Sequence, residues 1–259
     1  MKFSFGKNWL SYAEVALDDK KIAAAREAFH SLTRGIQMQG ARFLDVGFGQ
    51  GLTLFLAMEG GAHVYGIDVD PICRDALKLT HRFFPLMALP QVTIVSILDD
   101  SFVKAQQKQG GFDLVHSWGA LHHTGDMARA FRNIASLVRP GGFLVISVYN
   151  RHWTSPLWRG VKYSFNQLPH FLQEGMVLAL FPIFYFRARF LSEDNEQITV
   201  RGMDLRHDIR DWLGGHPYEY ASPADVERAL SALGLDKVRC DLTRGFTGCN
   251  QFVFQRTGH

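Results

Sequence analysis

Residues 43–51 read Phe-Leu-Asp-Val-Gly-Phe-Gly-Gln-Gly, an apolar run that breaks into three glycines at alternating positions. Because Gly47, Gly49 and Gly51 lack a Cβ, a tight turn here can adopt dihedral angles that other residues avoid and bring the backbone against a ligand. The dinucleotide fingerprint G-x-G-x-x-G would place its last glycine one residue later, where this chain has Leu52. The glycines therefore favour a different nucleotide-type ligand, and a tight turn without a ligand stays open at this point.

Short apolar runs alternate with helical patterns from residue 41 onward. Strands are predicted at 41–46, 62–67, 91–96, 112–117 and 142–149. The helices between them are predicted near 51–59, 71–83, 101–109 and 126–138. Such alternation is typical of βαβ units and of a parallel sheet that helices cover on both faces. The turn Pro140-Gly141-Gly142 is expected to end the last of these helices and to start the strand that follows.

The alternation stops after residue 149. Residues 150–221 hold helical, aromatic-rich sequence, and Ser222-Pro223-Ala224-Asp225 then opens another helix with a good cap. Two more strands are predicted near 235–243 and 250–256, and the short Gly-rich turn between them forces antiparallel pairing. The sequence therefore predicts an α/β fold, a doubly wound and mostly parallel seven-stranded sheet with a helical insertion after the fifth strand.

The segment before the sheet is predicted to be helical at 18–32. Its apolar side chains share one helical face, and two acids suit its N-terminal end. The members of that face are Ile22, Ala25, Phe29 and Leu32, and the acids are Asp18 and Asp19. Upstream, Phe5, Trp9 and Tyr12 form an aromatic cluster that either docks the terminus or folds over a bound ligand.

Acidic residues follow the second and third predicted strands. Ligands of a doubly wound sheet bind outside the carboxyl ends of its strands, so these acids are expected to lie beside the glycine turn. Asp68 can accept hydrogen bonds from both hydroxyls of a ribose, while Asp70 is expected to cap the next helix. Asp99 can accept a hydrogen bond from an adenine amino group, and Asp100 is expected to be a helix cap. A plain capping role for Asp68 stays open.

The fourth strand ends in Ser117-Trp118-Gly119-Ala120-Leu121-His122-His123-Thr124. Adjacent histidines point in different directions and no carboxylate is suitably spaced, so the sequence predicts no metal site. His122 and His123 are candidates for a catalytic base or an acceptor-orienting group. The alternative is that the pair is structural and pins the loop.

Taken in order, these motifs resemble the class I S-adenosylmethionine (SAM) methyltransferases, whose motif I has an acid before a G-x-G-x-G turn, as Asp45 precedes the glycines here. The loop after the fourth strand is similar to that of small-molecule and ubiquinone-biosynthesis methyltransferases with a Leu-His-His-Thr run. The resemblance implies SAM as cofactor and S-adenosylhomocysteine (SAH) as product. The residues it implies for cofactor binding are Asp45, Gly47, Gly49, Gly51, Asp68, Val69, Leu98, Asp99, Ser117 and Trp118.

The chain departs from the usual motif I at Phe48 and Gln50. The usual motif has small or hydroxylated residues there, so the geometry of this turn is expected to differ in detail. With the resemblance, the chain divides into an N-terminal helical segment, a SAM-binding core, a helical acceptor-binding insertion or lid, and a C-terminal helix and hairpin that complete the sheet. The corresponding ranges are 1–40, 41–149, 150–221 and 222–259.

The insertion is expected to choose the acceptor, because the cofactor half of this fold is generic. It carries 13 of the 33 aromatic residues of the chain between residues 151 and 221, enough to wall an apolar pocket or a lid. The same rings can instead form a local core or a homodimer interface. Contact with a membrane surface also stays open, because Arg187 and Arg189 follow the apolar run Met176–Phe186.

The polar part of the insertion, 201–220, supplies two further catalytic candidates. His207 is a second candidate for a base or an acceptor contact, and Tyr218 is a third. Gly214 and Gly215 are expected to bend the chain, and Pro217 prevents a helix from continuing.

Composition excludes several classes. The formal charge of +3 is too mild, and shows no clustered basic face, for a nucleic-acid partner. The three cysteines have no metal-ligand spacing and are expected to be reduced thiols of a cytoplasmic protein. The N-terminus lacks an apolar signal core, and no apolar run reaches the roughly 20 residues that span a bilayer.

The sequence thus predicts a SAM-dependent methyltransferase that acts on an O, N or S nucleophile of a small hydrophobic or aromatic molecule. One alternative is a lipid-linked or protein acceptor, reached at a membrane or partner surface. A nucleotide-binding module without transferase activity and a nicotinamide oxidoreductase are the others.

Overall fold

The computed structural model describes residues 3–186, 205–243 and 248–258. Its centre is a seven-stranded sheet in the order β3-β2-β1-β4-β5-β7-β6. The strands are β1 Arg42–Val46, β2 His63–Asp68, β3 Gln91–Ile94, β4 Phe112–Trp118, β5 Val138–Tyr149, β6 Leu235–Asp241 and β7 Cys249–Arg256.

The pairing within the sheet confirms the predicted doubly wound topology. Strand β1 pairs in parallel with β2 on one side and with β4 on the other. Strand β7 runs antiparallel to both β5 and β6. The strand order reverses at β1, so the carboxyl ends of β1, β2 and β4 border the crevice where this fold binds ligands.

Ten α-helices are found in the described residues. They are α1 Phe5–Val15, α2 Asp19–Leu32, α3 Leu52–Glu59, α4 Cys73–His81, α5 Asp100–Lys108, α6 Met127–Leu137, α7 Ser155–Gln167, α8 His170–Phe186, α9 Leu205–Gly214 and α10 Pro223–Ser231. One apolar cluster joins one face of the sheet to α5, α6 and α10. A second cluster joins the other face to α2, α3 and α4. The sheet is therefore covered on both faces, as its continuous apolar strands require.

Helix α2 forms as the pattern predicted. The four apolar residues of its predicted face are buried, and Asp18 caps it by accepting a hydrogen bond from the Lys21 N–H. Helix α10 also forms as predicted, with Ser222 and Asp225 in a reciprocal capping box.

Strand β5 begins earlier than predicted. Pro140-Gly141-Gly142 was expected to separate helix from strand, but α6 ends at Leu137 and β5 begins at Val138. The pairing of β5 with β4 is irregular over this stretch, because Val138 pairs with Phe112 and the next pair is Leu114 with Phe143. The irregularity accommodates the proline and glycines within one strand.

Helix α1 was not predicted as a helix. Gly6 and Asn8 are weak helix formers, and the α1 segment was read only as an aromatic cluster. Both residues are buried, so tertiary contacts rather than propensity hold this helix.

The insertion folds into α7, α8 and α9 around a small core of its own. Helix α8 contains Pro182 in its interior. Among the described residues, no helix is both long enough and apolar enough to cross a membrane. The expectations placed on Arg187, Arg189 and Phe190, and on residues 201–204, fall outside the described residues.

Candidate functional site at the carboxyl edge of the sheet

The glycine turn links the ends of β1 and β2. Gly47, Gly49 and Gly51 have φ values of +80°, +55° and +77°, a region that favours glycine. The Gly47 N–H donates to the Ile67 carbonyl, and the Gly49 N–H donates to Asp68 Oδ2 at 3.1 Å. These amides are thus used within the protein. The absence of side chains on the three glycines lets Ala120, Trp9 and Leu77 pack closely on the turn.

Asp68 lies at the end of β2 with both carboxylate oxygens engaged. Oδ2 accepts from the Gly49 N–H, and Oδ1 accepts from the Asp70 N–H at 3.0 Å. Burial raises the pKa of this carboxyl, and the two backbone hydrogen bonds act in the opposite direction. Each carboxylate oxygen can accept a second hydrogen bond, so the residue fits the two hydroxyls of a ribose.

Asp70 fastens helix α1 to this edge. Its Oδ2 accepts from the Ser4 hydroxyl and the Gly6 N–H, both at 3.0 Å, while Oδ1 accepts from the Ile72 N–H at 3.0 Å. The expectation that Asp70 caps the next helix is wrong, because α4 begins at Cys73 with Ile72 as its N-cap and has no side-chain cap hydrogen bond. Asp70 instead closes the turn before α4 and binds the first turn of α1. A Cβ at Gly6 would lie 2.5 Å from Asp70 Cγ, so only glycine fits there.

Helix α1 covers the glycine turn and reaches the histidine loop. The Trp9 indole lies against Gly49, where a Cβ would be 2.9 Å from Nε1. The Phe5 ring packs on His123 with centroids 4.8 Å apart. The aromatic cluster thus docks on the glycine turn and the histidine loop, and its contact with a bound ligand stays a prediction.

Two predicted cofactor residues are engaged inside the sheet. Asp45 Oδ1 lies 2.8 Å from His116 Nδ1, and the two residues are direct partners in the β1–β4 register. The Ser117 hydroxyl donates to the Val46 carbonyl at 2.9 Å. Asp45 and Ser117 therefore link β1 to β4 and stabilise the carboxyl ends of both strands. Their contact with a cofactor stays a prediction. Trp118 closes β4 with its ring stacked on His116.

The capping role expected of Asp100 belongs to its neighbour Asp99. Asp99, not Asp100, is the cap of α5, because its Oδ1 accepts from the Ser101 and Phe102 N–H groups. Asp100 lies in the first turn and forms an exposed ion pair with Arg129 at 2.8 Å. The other oxygen of Asp99 remains suited to the predicted adenine contact. The two apolar side chains predicted to bind the cofactor differ in exposure, since Leu98 is half-buried and Val69 is exposed.

Of the two adjacent histidines, His122 is buried and His123 is half-buried. His122 Nδ1 accepts from the Tyr149 N–H at 3.3 Å, and burial lowers its pKa well below the usual value. His123 Nδ1 donates to the Pro217 carbonyl at 2.6 Å, and burial lowers its pKa to about 3. Since Nε2 of His123 keeps a lone pair, it is the histidine of this pair whose free nitrogen can accept a proton or a hydrogen bond.

The other two catalytic candidates are His207, which lies on α9, and Tyr218, which follows the end of that helix. His207 packs against α1, with Nε2 3.2 Å from the Ser11 hydroxyl and its ring 5.6 Å from that of Tyr12. Tyr218 is buried against Tyr149 at 5.1 Å, and burial raises its pKa to about 12. The structure therefore brings Tyr218 to the histidine loop and leaves His207 at the α1–α9 contact.

Lys162 is the residue at this edge that sequence reasoning missed. It lies on α7 and is only 1% exposed, with Nζ over the rings of Tyr149, Trp212 and Tyr218. The available signal was its position in the stripe Trp158–Lys162–Phe165, where helical spacing places a lysine on the apolar face.

Two features define the class of protein. One is the strand order of the sheet, and the other is Asp68 at the end of β2, which binds the glycine turn after β1. Both agree with the class I methyltransferases that the sequence resembles. The methyltransferase domain family matches residues 19–239. The chain belongs to this family.

The curated relatives that match include ubiquinone biosynthesis O-methyltransferases. That of Coxiella burnetii (strain RSA 493 / Nine Mile phase I) is 33% identical over 136 residues, which cover 52% of this chain and 55% of the relative. That of Marinobacter nauticus is 32% identical over 136 residues, which cover 52% of this chain and 56% of the relative. The chain thus spans about half the length of the curated relatives that it matches.

Solved structures share the fold. Magnesium protoporphyrin IX methyltransferase from Synechocystis PCC 6803 with bound SAH superimposes with a TM-score of 0.59 and 15% identity, over 97% of this chain and 94% of that one. The cyclase SpnF superimposes with a TM-score of 0.55 and 13% identity, over 90% of this chain and 81% of that one. Likeness at these identities shows the fold alone.

Proposed function

We propose that this protein transfers a methyl group from SAM to an oxygen, nitrogen or sulfur nucleophile of a small hydrophobic or aromatic molecule. The observation that carries the proposal is the position of Asp68, whose carboxylate binds Gly49 of the glycine turn at 3.1 Å. A ribose acceptor beside a glycine turn, on neighbouring strands, is the arrangement that an adenosine-containing cofactor needs. Membership of the methyltransferase family supports the same reading.

SAM supplies an activated methyl group on a sulfonium, so the protein has mainly to align two bound molecules and exclude water. Asp68 would hold the ribose and Asp99 the adenine amino group, beside Val69 and Leu98. The glycines would let the cofactor approach the end of β1. Helix α1 covers this edge through Trp9, which keeps water from the reacting atoms.

The histidine loop would orient the acceptor. His122 and His123 are neutral, since burial lowers the pKa of both. A group that stays neutral offers a hydrogen bond to the acceptor but is a weak base, so the loop acts by positioning.

Replacing His123 by asparagine is expected to lower kcat roughly 10-fold or more, because the hydrogen bond that Nε2 would accept from the methyl acceptor is lost. SAM affinity is expected to stay within about twofold of wild type, since Asp68 and the glycine turn are untouched. Turnover against pH and calorimetry with SAM measure the two effects. His30, an exposed histidine in the last turn of α2, provides the matched control His30→Asn. A parallel fall in SAM affinity would contradict the division between cofactor and acceptor residues.

The direct test of the function is a screen of metabolite extracts with the purified protein and methyl-labelled SAM, followed by mass identification of the labelled product. Labelled product that depends on Asp68 supports the proposal. Binding of SAM without transfer to any extract component would instead favour a module that binds the nucleotide without catalysis.

A second candidate function is methyl transfer to a lipid-linked acceptor at a membrane surface. Helix α8 favours it, because Val177 is its only fully buried residue while Phe171, Ile183 and Phe186 are exposed. Between residues 151 and 186 the chain has one acid, Glu174, and it is ion-paired with Arg206 and Arg210. An apolar surface almost free of acids suits an anionic bilayer.

The wild-type protein is expected to co-sediment with vesicles of phosphatidylcholine and phosphatidylglycerol, and the double variant Phe171→Ser/Ile183→Ser to stay in the supernatant. Both side chains are exposed, so the variant is expected to fold normally. Light scattering provides the counter-test. If wild type does not sediment and is a dimer that the variant splits, the surface is a homodimer interface and the membrane function is excluded.

A further inference from the structure

Lys162 is held in a cage of aromatic rings. Its Nζ lies 5.2 Å from the ring centroid of Tyr149, 5.4 Å from that of Trp212 and 4.8 Å from that of Tyr218. It also donates a hydrogen bond to the Trp212 carbonyl. Cation–π contacts with the three rings offset only part of the cost of burying the ammonium.

The ammonium lacks a counter-charge at contact distance. Within the described segments, Lys162 forms no ion pair under 4.0 Å, and Asp211 acts on it only at longer range. Burial also disfavours the charged form of Asp211 and raises the pKa of its carboxyl to about 7. Its Oδ1 is buried and has no hydrogen-bond partner among the described residues. Burial lowers the pKa of Lys162 to about 8.

A structural role accounts for only part of this arrangement. Lys162 and Asn166 both reach from α7 to the last turn of α9, where they bind the carbonyls of Trp212 and Gly214. A helix C-terminus attracts donors of this kind. Asn166 does so without any charge, however, so the cap itself does not require a buried ammonium.

The cage adjoins the place where the acceptor is expected. Tyr149 ends β5, and its ring lies 4.1 Å from that of His122 and 5.6 Å from that of His123. The same ring forms one wall of the cage around Lys162. Tyr149 therefore borders both Lys162 and the histidine loop.

We propose that Lys162 recognises an anionic oxygen on the methyl acceptor, either a carboxylate or an ionised phenol, while the surrounding rings pack against a flat aromatic body. The inference rests on the proposed function, because it names the acceptor class of that same site. An anionic oxygen supplies a counter-charge at contact distance, whereas Asp211 acts on Lys162 only at longer range. A hydrogen bond to a charged group in a dry site is strong.

The test compares acids with their neutral isosteres. Benzoate is paired with benzamide, and nitrophenol at mildly alkaline pH with nitroanisole, so the two pairs distinguish the carboxylate from the phenolate. Binding is read from tryptophan fluorescence in the presence of SAH, since Trp212 forms a wall of the cage and Trp158 lies 4.3 Å from it. Wild type is expected to bind at least one acid about 10- to 100-fold more tightly than its isostere.

The decisive variant is Lys162→Gln, which keeps a donor for the Trp212 carbonyl and removes only the charge. It is expected to abolish the preference for the acid. Asn166→Ala is the matched control, because it removes the neighbouring bond to α9 and is expected to keep the preference. Equal preferences in wild type and Lys162→Gln, loss of preference in both variants, or no binding of any acid would overturn the inference.

Calorimetry with SAM separates this outcome from failure of the proposed function. A protein that binds SAM and lacks acid preference refutes the acceptor class alone. A protein that prefers acids through Lys162 but neither binds SAM nor transfers its methyl group refutes the methyltransferase function and leaves the anion site.

Discussion

Replacing Asp68 by asparagine is expected to weaken SAM binding about 100-fold or more. The carboxylate accepts hydrogen bonds from the Gly49 and Asp70 N–H groups and would accept two more from the ribose. Asparagine offers one acceptor oxygen, and its NH₂ group would face one of the two backbone donors. Each hydrogen bond to a charged group contributes about 1.5–3 kcal/mol, and 1.4 kcal/mol is tenfold in affinity.

Calorimetry with SAM and with SAH measures the loss, and thermal unfolding shows whether the fold is kept. The matched control is Asp75→Asn on α4, where the carboxylate is exposed and pairs only with Lys78 at the surface. The control is expected to leave SAM affinity within about twofold of wild type, because exposed ion pairs contribute little. A folded Asp68→Asn protein with wild-type affinity would show that the ribose is held elsewhere and would remove the main support for the proposed function.

Asp68 also shows what sequence can predict about this site. A doubly wound fold brings the carboxyl ends of neighbouring strands together, so an acid at the end of β2 must lie near the glycine turn of β1. The amphipathic face of α2 and the capping box of α10 were predictable for a similar reason, because their signals lie within a few residues of one another.

The parts that sequence did not predict depend on distant residues. Helix α1 contains Gly6 and Asn8, and it forms where Asp70 binds its first turn from 64 residues away. His116 is paired with Asp45 by the register of β1 and β4, 71 residues apart, and a parallel register cannot be read from either strand alone. In both cases a tertiary contact outweighs the local preference.

Lys162 was missed because lysine is almost never fully buried. Sequence reasoning assigns it to the surface even where its helical position is apolar. The cap of α5 was predicted one residue too late, at Asp100 instead of Asp99. Adjacent acids at the start of a helix cannot be told apart as caps unless the helix boundary is known to within one residue.

Replacing Gly47 by alanine is expected to disrupt both stability and SAM binding. Gly47 has a φ of +80°, and an alanine Cβ would lie 2.4 Å from the Ala120 Cβ of the histidine loop. The left-handed conformation costs roughly 1–2 kcal/mol, and overpacking a rigid contact adds about 1–3 kcal/mol. The glycine turn and the histidine loop must then move apart, which displaces the ends of β1 and β4 together.

Gly141→Ala separates these two costs. Gly141 has a φ of +75° with nothing within 4 Å of a Cβ, so its variant is strained but meets no clash. The unfolding temperature is expected to fall by about 2–8 °C in Gly141→Ala, since each kcal/mol of lost stability lowers it by about 2–4 °C. It is expected to fall by clearly more in Gly47→Ala. SAM affinity measured by calorimetry is expected to be unchanged in the first variant and at least about 10-fold weaker in the second.

The double variant Gly47→Ala/Ala120→Gly tests the clash directly. It removes the Cβ that the new alanine would meet and leaves the backbone strain in place, so its unfolding temperature is expected to recover to the level of Gly141→Ala. The recovery measures the coupling between the glycine turn and the histidine loop as an interaction energy. If SAM affinity recovers with it, the two loops act as one rigid edge, and a change of acceptor contact at the histidine loop must then be felt at the cofactor. Additive losses would show instead that the glycine turn responds to backbone strain alone, and that cofactor and acceptor halves move independently.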